Sequence, residues 1–299
     1  MRNRWGFAVV AMAWLPVFGA ACVSSKDNLP KKEDKHAAKD APTLQANDAP
    51  NLRTHDVPTV RAHKLAQGEK IVIDGKGDDK AWITAANTGP FVNVGTGGSA
   101  ESLPVKGSAK ITWDDANMYV LIEVKDPDIV GYFTDPASQP KDWTVTGQPM
   151  TWTKDTAEIM IDPDGDGDNK DYYEIQINPQ NKIFHSQFDT QNFPKTEPRG
   201  PFGHENWDPK LQSAVALAGT MDDPSDHDEG YTVEVAIPWS AFDKGAKNRP
   251  PKPGDSWRMN FYAMKNNGGT AWSPILGLGN FHTARRFGRV IWTTKPASD

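Results

Sequence analysis

The chain has 299 residues, of which 37% are hydrophobic, enough to bury a sizeable core, and its formal net charge is −6 at pH 7. This mild acidity and the lack of a basic cluster argue against nucleic-acid binding. Cys22 is the single cysteine, so an intramolecular disulfide is excluded and the core must stabilise the fold.

The first residues have the layout of a secretory signal peptide. Two arginines precede an apolar run over residues 5–18, and Gly-Ala-Ala stands directly before Cys22. Residues 1–21 resemble a bacterial lipoprotein signal, although Gly19 stands where that pattern usually has leucine. We therefore expect export, with Cys22 as the lipidated N-terminus and the protein held in the cell envelope, at the outer membrane or cell surface. The alternative is an ordinary signal peptide, an incidental cysteine and a secreted protein.

The next segment, residues 22–63, is rich in Lys, Asp, Ala, Pro, Asn and Ser and has few large apolar side chains. Such a segment cannot bury enough surface to offset its ordering entropy, which predicts a disordered N-terminal tether. Membrane contact is expected only through the lipid at the N-terminus.

The remaining residues, 64–299, are predicted to form one all-β domain, an antiparallel β-sandwich. Short alternating runs separated by Gly, Pro, Asn and Asp favour this fold class, and no internal repeat is present. The predicted strands cover residues 70–73, 109–113, 118–125, 156–162, 172–178, 182–188, 212–218, 231–237, 257–265 and 289–292.

Two of these runs, residues 156–162 and 172–178, form a predicted hairpin with one buried face. The apolar face carries Ala157, Ile159, Ile161, Tyr173, Ile175 and Ile177. The opposite face carries carboxylate and amide groups, among them Glu158, Glu174 and Gln176, with Trp152 and Asp155 at its entrance. A flat aromatic ring beside fixed hydrogen-bond acceptors suits a sugar ring.

Eight sequence elements follow one another along the domain. They are I-D-G-K-G-D-D-K-A-W (73–82), W-D-D-A-N-M-Y-V (113–120), W-x-x-D-x-x-E-I-x-I-D-P-D-G-D-G (152–167), Y-Y-E-I-Q-I-N-P (172–179), G-Y-T-V-E-V-A-I-P-W (230–239), P-G-D-S-W-R-M-N-F (253–261), A-W-S-P (271–274) and R-F-G-R-V (286–290). In this order they resemble the family 9 carbohydrate-binding modules and related family-9-like sugar-binding proteins. The resemblance implies a DOMON-like β-sandwich that holds sugar between two aromatic rings.

The resemblance also implies a set of site residues. Trp152 matches one ring of the clamp, Phe281 is the nearest match to the other, and Glu158 matches an acidic hydrogen-bonding residue. Gln176 stands where the family has an arginine, and Tyr262 where it has a glutamine. The expected carbohydrate-binding residues are thus Trp152, Asp155, Glu158, Gln176, Tyr262 and Phe281. The implied protein is a non-catalytic monomer that binds a glycan or polysaccharide in association with polysaccharide breakdown.

The hairpin loop is rich in acidic residues. Asp162, Asp164, Asp166 and Asp168 place oxygen ligands at alternate positions, which suits a structural Ca²⁺. The alternative is a polar turn, which Asp, Gly and Asn form for backbone reasons alone. No other cofactor is expected.

Two other functions remain open. A haem-binding β-sandwich would need axial ligands such as Met150, Met160, Met259 or Met264 with His185 or His282, but no C-x-x-C-H is present. A glycoside hydrolase would need two carboxylates at a defined separation, for which Asp155 and Glu158 are candidates.

Overall fold

The computed structural model describes residues 56–131, 151–190, 203–266 and 268–294, except for the side chain of Trp152. The predicted signal peptide, Cys22, Met150 and most of the predicted tether lie outside these residues. All described residues belong to one compact unit, 51–299.

The described residues form thirteen strands in two sheets. The strands are β1 (Thr59–His63), β2 (Ala86–Pro90), β3 (Val92–Asn93), β4 (Lys106–Trp113), β5 (Asn117–Lys125), β6 (Thr156–Asp162), β7 (Lys170–Ile177), β8 (Ile183–Thr190), β9 (Gln212–Ala218), β10 (Gly230–Pro238), β11 (Ser256–Lys265), β12 (Gly268–Ala271) and β13 (Gly288–Thr293). One short helix, α1 (Ala81–Thr84), and three 3-10 turns complete the secondary structure of this part of the chain. None of these helical segments has the length and apolar character needed to cross a bilayer.

The first sheet has the order β1-β13-β11-β6-β7-β8, with β12 beside β11 and β3 beside β12. The second sheet has the order β2-β4-β5-β10-β9. Neighbouring strands are antiparallel, apart from β1, which runs parallel to β13. The predicted antiparallel β-sandwich is confirmed.

The core lies between the two sheets and is built by alternation along each strand. β6 and β7 contribute the six apolar residues predicted for the hairpin, all of them buried. The second sheet faces them with Val120 and Ile122 of β5 and Val233 and Val235 of β10, also buried. Because successive side chains point to opposite faces, the same strands carry a second set outward.

The outer faces are covered differently. Ile71 and Ile73, together with α1, pack on the outer face of the second sheet through Trp82. On the first sheet, Ala284 and Phe287 of the 272–287 segment cover Met160 and Tyr262. Part of the first sheet's outer face is thereby enclosed by a loop instead of a second layer of strands.

Two sequence predictions are wrong. Residues 59–63, assigned to the tether, form β1, whose two apolar side chains give too short an alternation to be recognised without its partner β13. Residues 70–73 form no strand: the Val72 amide donates to Asp79 Oδ2 (2.8 Å), and the isoleucines anchor the segment on the sheet. The short strands β2, β3 and β12 were not predicted.

Candidate functional site

The outer face of the first sheet brings predicted site residues from three strands into one row. Glu158 on β6 lies opposite Gln176 on β7 and opposite Tyr262 on β11. In the adjacent row Met160 lies opposite Glu174. Strand pairing therefore places two carboxyl groups and an amide side by side on one face.

Gln176 connects the two carboxyl groups. Its Nε2 donates to Glu174 Oε1 (2.6 Å) and to Glu158 Oε2 (3.2 Å), and its Oε1 accepts from the Thr151 hydroxyl (2.6 Å). All four side chains are buried. The second oxygen of Glu158, Oε1, is buried and has no hydrogen-bond partner among the described residues. A buried acceptor of this kind costs about 1–3 kcal/mol when it stays unpaired.

Neither carboxylate forms an ion pair with a lysine or arginine of the described ranges. Burial raises the pKa of Glu174 to about 7, against a smaller lowering by the Gln176 hydrogen bond. Burial, and then the neighbouring Glu174, raise the pKa of Glu158 well above its usual range. The pair therefore holds protons near neutral pH, and its members can both donate and accept hydrogen bonds.

A histidine and two stacked rings border this cluster. His282 Nδ1 lies 2.9 Å from the Tyr172 hydroxyl, and its Nε2 lies 3.9 Å from Glu174 Oε2. Burial lowers the pKa of His282 to about 4, so the imidazole is neutral at pH 7. Tyr172 stacks on Phe188 with ring centroids 4.7 Å apart. These polar contacts beside aromatic surface extend the face toward β8.

Phe281 is brought to the other side of the row. Its ring is half-buried and meets the Tyr262 ring edge to face, with centroids 5.3 Å apart, and its carbonyl accepts from the Tyr262 hydroxyl (3.1 Å). The phenol of Tyr262 thus anchors the loop that carries Phe281. The Phe281 ring thus lies beside Tyr262, and its role as a ring of the clamp stays a prediction.

The loop that carries Phe281 is fixed by hydrogen bonds at both of its ends. Asn260 Nδ2 donates to the Ser273 carbonyl (2.8 Å), and Arg286 Nε donates to the Pro274 carbonyl (2.9 Å). Where the loop returns, a Cβ on Gly288 would lie 2.4 Å from the Trp272 ring, so only glycine lets the strand pass so closely.

Trp152 lies in the 3-10 turn Thr151–Thr153, directly before β6. Through Thr151 the turn is attached to Gln176 at the centre of the polar row. The Trp152 side chain lies outside the described part of the structure, so its place in the clamp remains a prediction.

Asp155 does not share this face. Its carboxylate accepts from Lys265 Nζ (3.0 Å) and from the Val130 amide (2.6 Å), in an ion-pair network that includes Asp126. Burial, and then Asp126, raise the pKa of Asp155 to about 7. Asp155 lies in the bend before β6, and its partner Lys265 follows the outward Met264 on β11, so Lys265 faces the opposite side. This placement does not support Asp155 as a contact in the row, and it separates the two carboxylates of the hydrolase hypothesis.

In the acidic loop, Asp162, Asp164 and Asp166 gather with oxygens within 4.8 Å of one another. Asp162 is buried, which raises its pKa to about 8, and the neighbouring Asp164 contributes to that rise. Asp168 is not part of this group, because its carboxylate pairs with Lys170 (2.5 Å). Three of the four predicted calcium ligands therefore converge.

The predicted haem ligands are spread over different environments. Met259 lies in the core between the sheets, whereas Met160 and Met264 lie in the outer cluster with Tyr262. His185 packs on Trp207, with centroids 5.8 Å apart. His282 shares the outer face with Met160 and Met264, but its ring contacts Tyr172 and Phe188 and lies beside Glu174, so these contacts indicate no pair of axial ligands.

Three residues at the face were not among the predicted ligands: Tyr172, Glu174 and His282. Glu174 and Tyr172 share the alternation of Gln176, so the outward set of β7 was sufficient to find them. His282 lies more than a hundred residues from its partner Tyr172, and no local pattern identifies it.

The family model described as "Carbohydrate family 9 binding domain-like" matches residues 73–293. Among solved structures, a family 9 carbohydrate binding module from Caldicellulosiruptor kristjanssonii in complex with cellotriose has a TM-score of 0.51 at 17% identity, covering 80% of this chain and 95% of that chain. A candidate carbohydrate-binding protein from Bacteroides uniformis has a TM-score of 0.51 at 16% identity, covering 79% of this chain and 100% of that chain. At these identities the likeness shows a shared fold. No curated protein sequence matches the chain.

Proposed function

The chain belongs to the carbohydrate family 9 binding domain-like family, and from that premise we propose that it binds a glycan on the outer face of its first sheet. The observation that carries the proposal is Glu158 Oε1, a buried acceptor without a partner among the described residues. A sugar hydroxyl that donates to this oxygen would satisfy it with a hydrogen bond.

The neighbouring groups fit the same ligand class. Gln176 and Thr151 hold the Glu158 carboxylate in place, so little side-chain entropy remains to be lost on binding. The half-buried ring of Phe281 offers apolar surface to the C–H face of a pyranose, and Trp152 would supply the opposing ring. The protein is a binding module in this account, and no step of catalysis is assigned to it.

The test is binding of the full chain to a glycan panel that begins with cellotriose and glucose and continues with insoluble polysaccharides. We expect Glu158→Gln to weaken binding by roughly tenfold, because the new amide group would meet the Gln176 donor instead of accepting from it, and a disturbed hydrogen bond costs about 1–1.5 kcal/mol. Trp152→Ala and Phe281→Ala should each weaken it several-fold.

Glu123→Gln is the matched control, because Glu123 is an exposed glutamate on β5 of the second sheet. If Glu158→Gln, Trp152→Ala and the control all bound as tightly as the parent, the site would lie elsewhere.

The N-terminal sequence supports a further proposal about location. The protein is exported, carries lipid on Cys22, and presents the sandwich as a monomeric glycan-binding domain on its tether, in association with polysaccharide breakdown. In the native host, Cys22→Ala should move the protein from the membrane pellet to the soluble fraction. An unchanged distribution between the two fractions would exclude the lipid anchor.

A further inference from the structure

A polar cavity lies at the edge of the first sheet, on the face opposite to the Glu158 row. It has a volume of 360 Å³ and is formed by β8, the 203–207 segment and the turn after β10. Gln187 of β8 lines it and lies opposite Tyr173, which belongs to the inward set, whereas Ser186 lies opposite the outward Glu174. The cavity is therefore separate from the proposed glycan site.

The walls of this cavity are held by specific contacts. His204 and Gln187 exchange two backbone hydrogen bonds (2.7 and 3.3 Å), and His204 Nε2 lies 2.7 Å from Asp189 Oδ2. Gly203 adopts φ +121°, and a Cβ there would lie 2.6 Å from the Gln187 carbonyl oxygen, so the close approach of this segment requires glycine. The segment is thus docked on the edge strand.

One wall of the cavity is aromatic. Trp207 is half-buried, lies 4.7 Å from the Tyr173 ring between centroids, and donates its Nε1–H to the Ala241 carbonyl (2.9 Å). These contacts fix the indole, so its exposed part offers apolar surface with no loss of side-chain freedom on binding.

Gln187 provides the observation that points to a ligand. Its side chain is 4% exposed, and its Nε2 has no hydrogen-bond partner of ordinary geometry among the described residues. Asp189 lies near this amide without accepting from it in good geometry. Burial raises the pKa of the Asp189 carboxyl, but the hydrogen bond with His204 and, after it, the Gln187 side chain lower this pKa overall. A buried amide donor without an acceptor is costly, and a ligand oxygen would remove that cost.

The lining selects the chemical class of the ligand. Asp189 and Asp243 outnumber Lys244 among the charged lining residues, which disfavours an anion, and the cluster of carboxylates that could hold a metal ion in the described ranges lies elsewhere, at Asp162. Amide and carboxylate groups beside a fixed indole suit hydroxyl groups on a ring with apolar faces. We propose that this cavity binds a neutral sugar unit as a second site, formed by Gln187, Asp189, Asn206 and Trp207. The inference takes its ligand class from the proposed function, while its residues are independent of the Glu158 row.

The experiment is calorimetric titration of the full chain with cellotriose, comparing the parent with Gln187→Met and Glu158→Gln. Methionine keeps the length of Gln187 and removes the unpaired amide, so the variant should fold normally. We expect two binding events in the parent, of which Gln187→Met weakens one by about tenfold or more and Glu158→Gln weakens the other. Asn206→Ala, at an exposed position, should weaken the same event as Gln187→Met and serves if that variant folds poorly.

The two proposals fail in different ways. A single event that is lost in Glu158→Gln and unchanged in Gln187→Met and Asn206→Ala would overturn the second site and leave the proposed function intact. A single binding event that survives in Glu158→Gln and is lost in Gln187→Met would support the second site and would exclude the Glu158 row as a glycan site.

Discussion

Two buried glutamates on the outer faces of the two sheets have opposite surroundings. Glu234 on β10 accepts four hydrogen bonds, two at each oxygen, from Asp74 N (3.0 Å), Gly75 N (2.7 Å), Gly77 N (3.1 Å) and Trp82 Nε1 (2.8 Å). Glu158 on β6 accepts one, from Gln176, and its Oε1 has no partner in the described ranges. Both oxygens of Glu234 therefore accept hydrogen bonds from the same chain, whereas one oxygen of Glu158 remains available to a ligand.

This difference separates a structural carboxylate from one that can take a ligand. Both glutamates stand in alternating runs between apolar residues, so the strands themselves treat them alike. The number of hydrogen bonds to each glutamate depends on the residues around it. Residues 74–82 supply backbone and indole donors to Glu234, whereas Gln176 supplies a single amide donor to Glu158. Counting the donors around a buried carboxylate is therefore more informative than its burial.

The largest effect should follow from Glu234→Gln. The amide end of glutamine would face donors, so the free energy of unfolding should fall by about 3 kcal/mol or more. Urea unfolding of the full chain measures it, with Glu123→Gln on the neighbouring strand as the control, expected to stay within about 0.5 kcal/mol of the parent. Equal losses of unfolding free energy in the two variants would show that Glu234 is no more important for stability than the exposed Glu123.

An intermediate effect concerns pH. The pKa of Glu174 is raised from 4.5 to about 7 by burial, and that of Glu158 is raised well above its usual range. The folded chain therefore keeps protons on this pair at pH values where the unfolded chain has lost them. The contribution of the pair to the free energy of unfolding is fully present below about pH 4.5 and is lost as the pH rises through 7. Glu174→Gln should reduce the fall in unfolding free energy between about pH 5 and 8 by about 2 kcal/mol. Overlapping pH profiles of parent and variant would contradict the raised pKa.

The smallest expected effect concerns Asp162, which lies between the two cases. Its oxygens accept from Gly165 N (3.3 Å) and Gly167 N (3.0 Å), as a structural carboxylate does, yet Asp164 and Asp166 stand within reach. If the loop binds Ca²⁺, excess calcium should raise the melting temperature by a few degrees and EDTA should reverse this.

A matched pair of variants isolates the calcium loop. Asp166→Asn should abolish the calcium effect, whereas Asp168→Asn should preserve it, because Asp168 is paired with Lys170 and stands outside the cluster. A melting temperature indifferent to both calcium and EDTA would leave the loop a polar turn.

Alternation along the strands was the part of the fold that could be predicted from sequence. It gave the two faces of the β6–β7 hairpin, and it placed Glu158 and Gln176 together on the outer face. Asp155 precedes β6 and lies in a bend, so alternation along the strand did not assign its side chain to a face. Its closeness to Glu158 in sequence therefore did not indicate closeness of the two side chains in space.

What could not be predicted depends on contacts between distant parts of the chain. β1 is recognisable only beside β13, and His282 reaches Tyr172 from over a hundred residues away. The edge cavity combines β8 with a segment after it and a turn after β10, and no local pattern indicates that these three meet. Phe281 was predicted from its resemblance to a family position, while its contact with Tyr262 required the structure.

The parallel pairing of β1 with β13 has a mechanical consequence. Residues Thr59 to His63 lie in register with Arg289 to Thr293, so a pull along the axis of β1 strains all the rungs of this ladder together. Rungs that must break at once resist force better than rungs that open one after another from an end. The parallel ladder thus gives β1 a shear geometry against a pull along its axis.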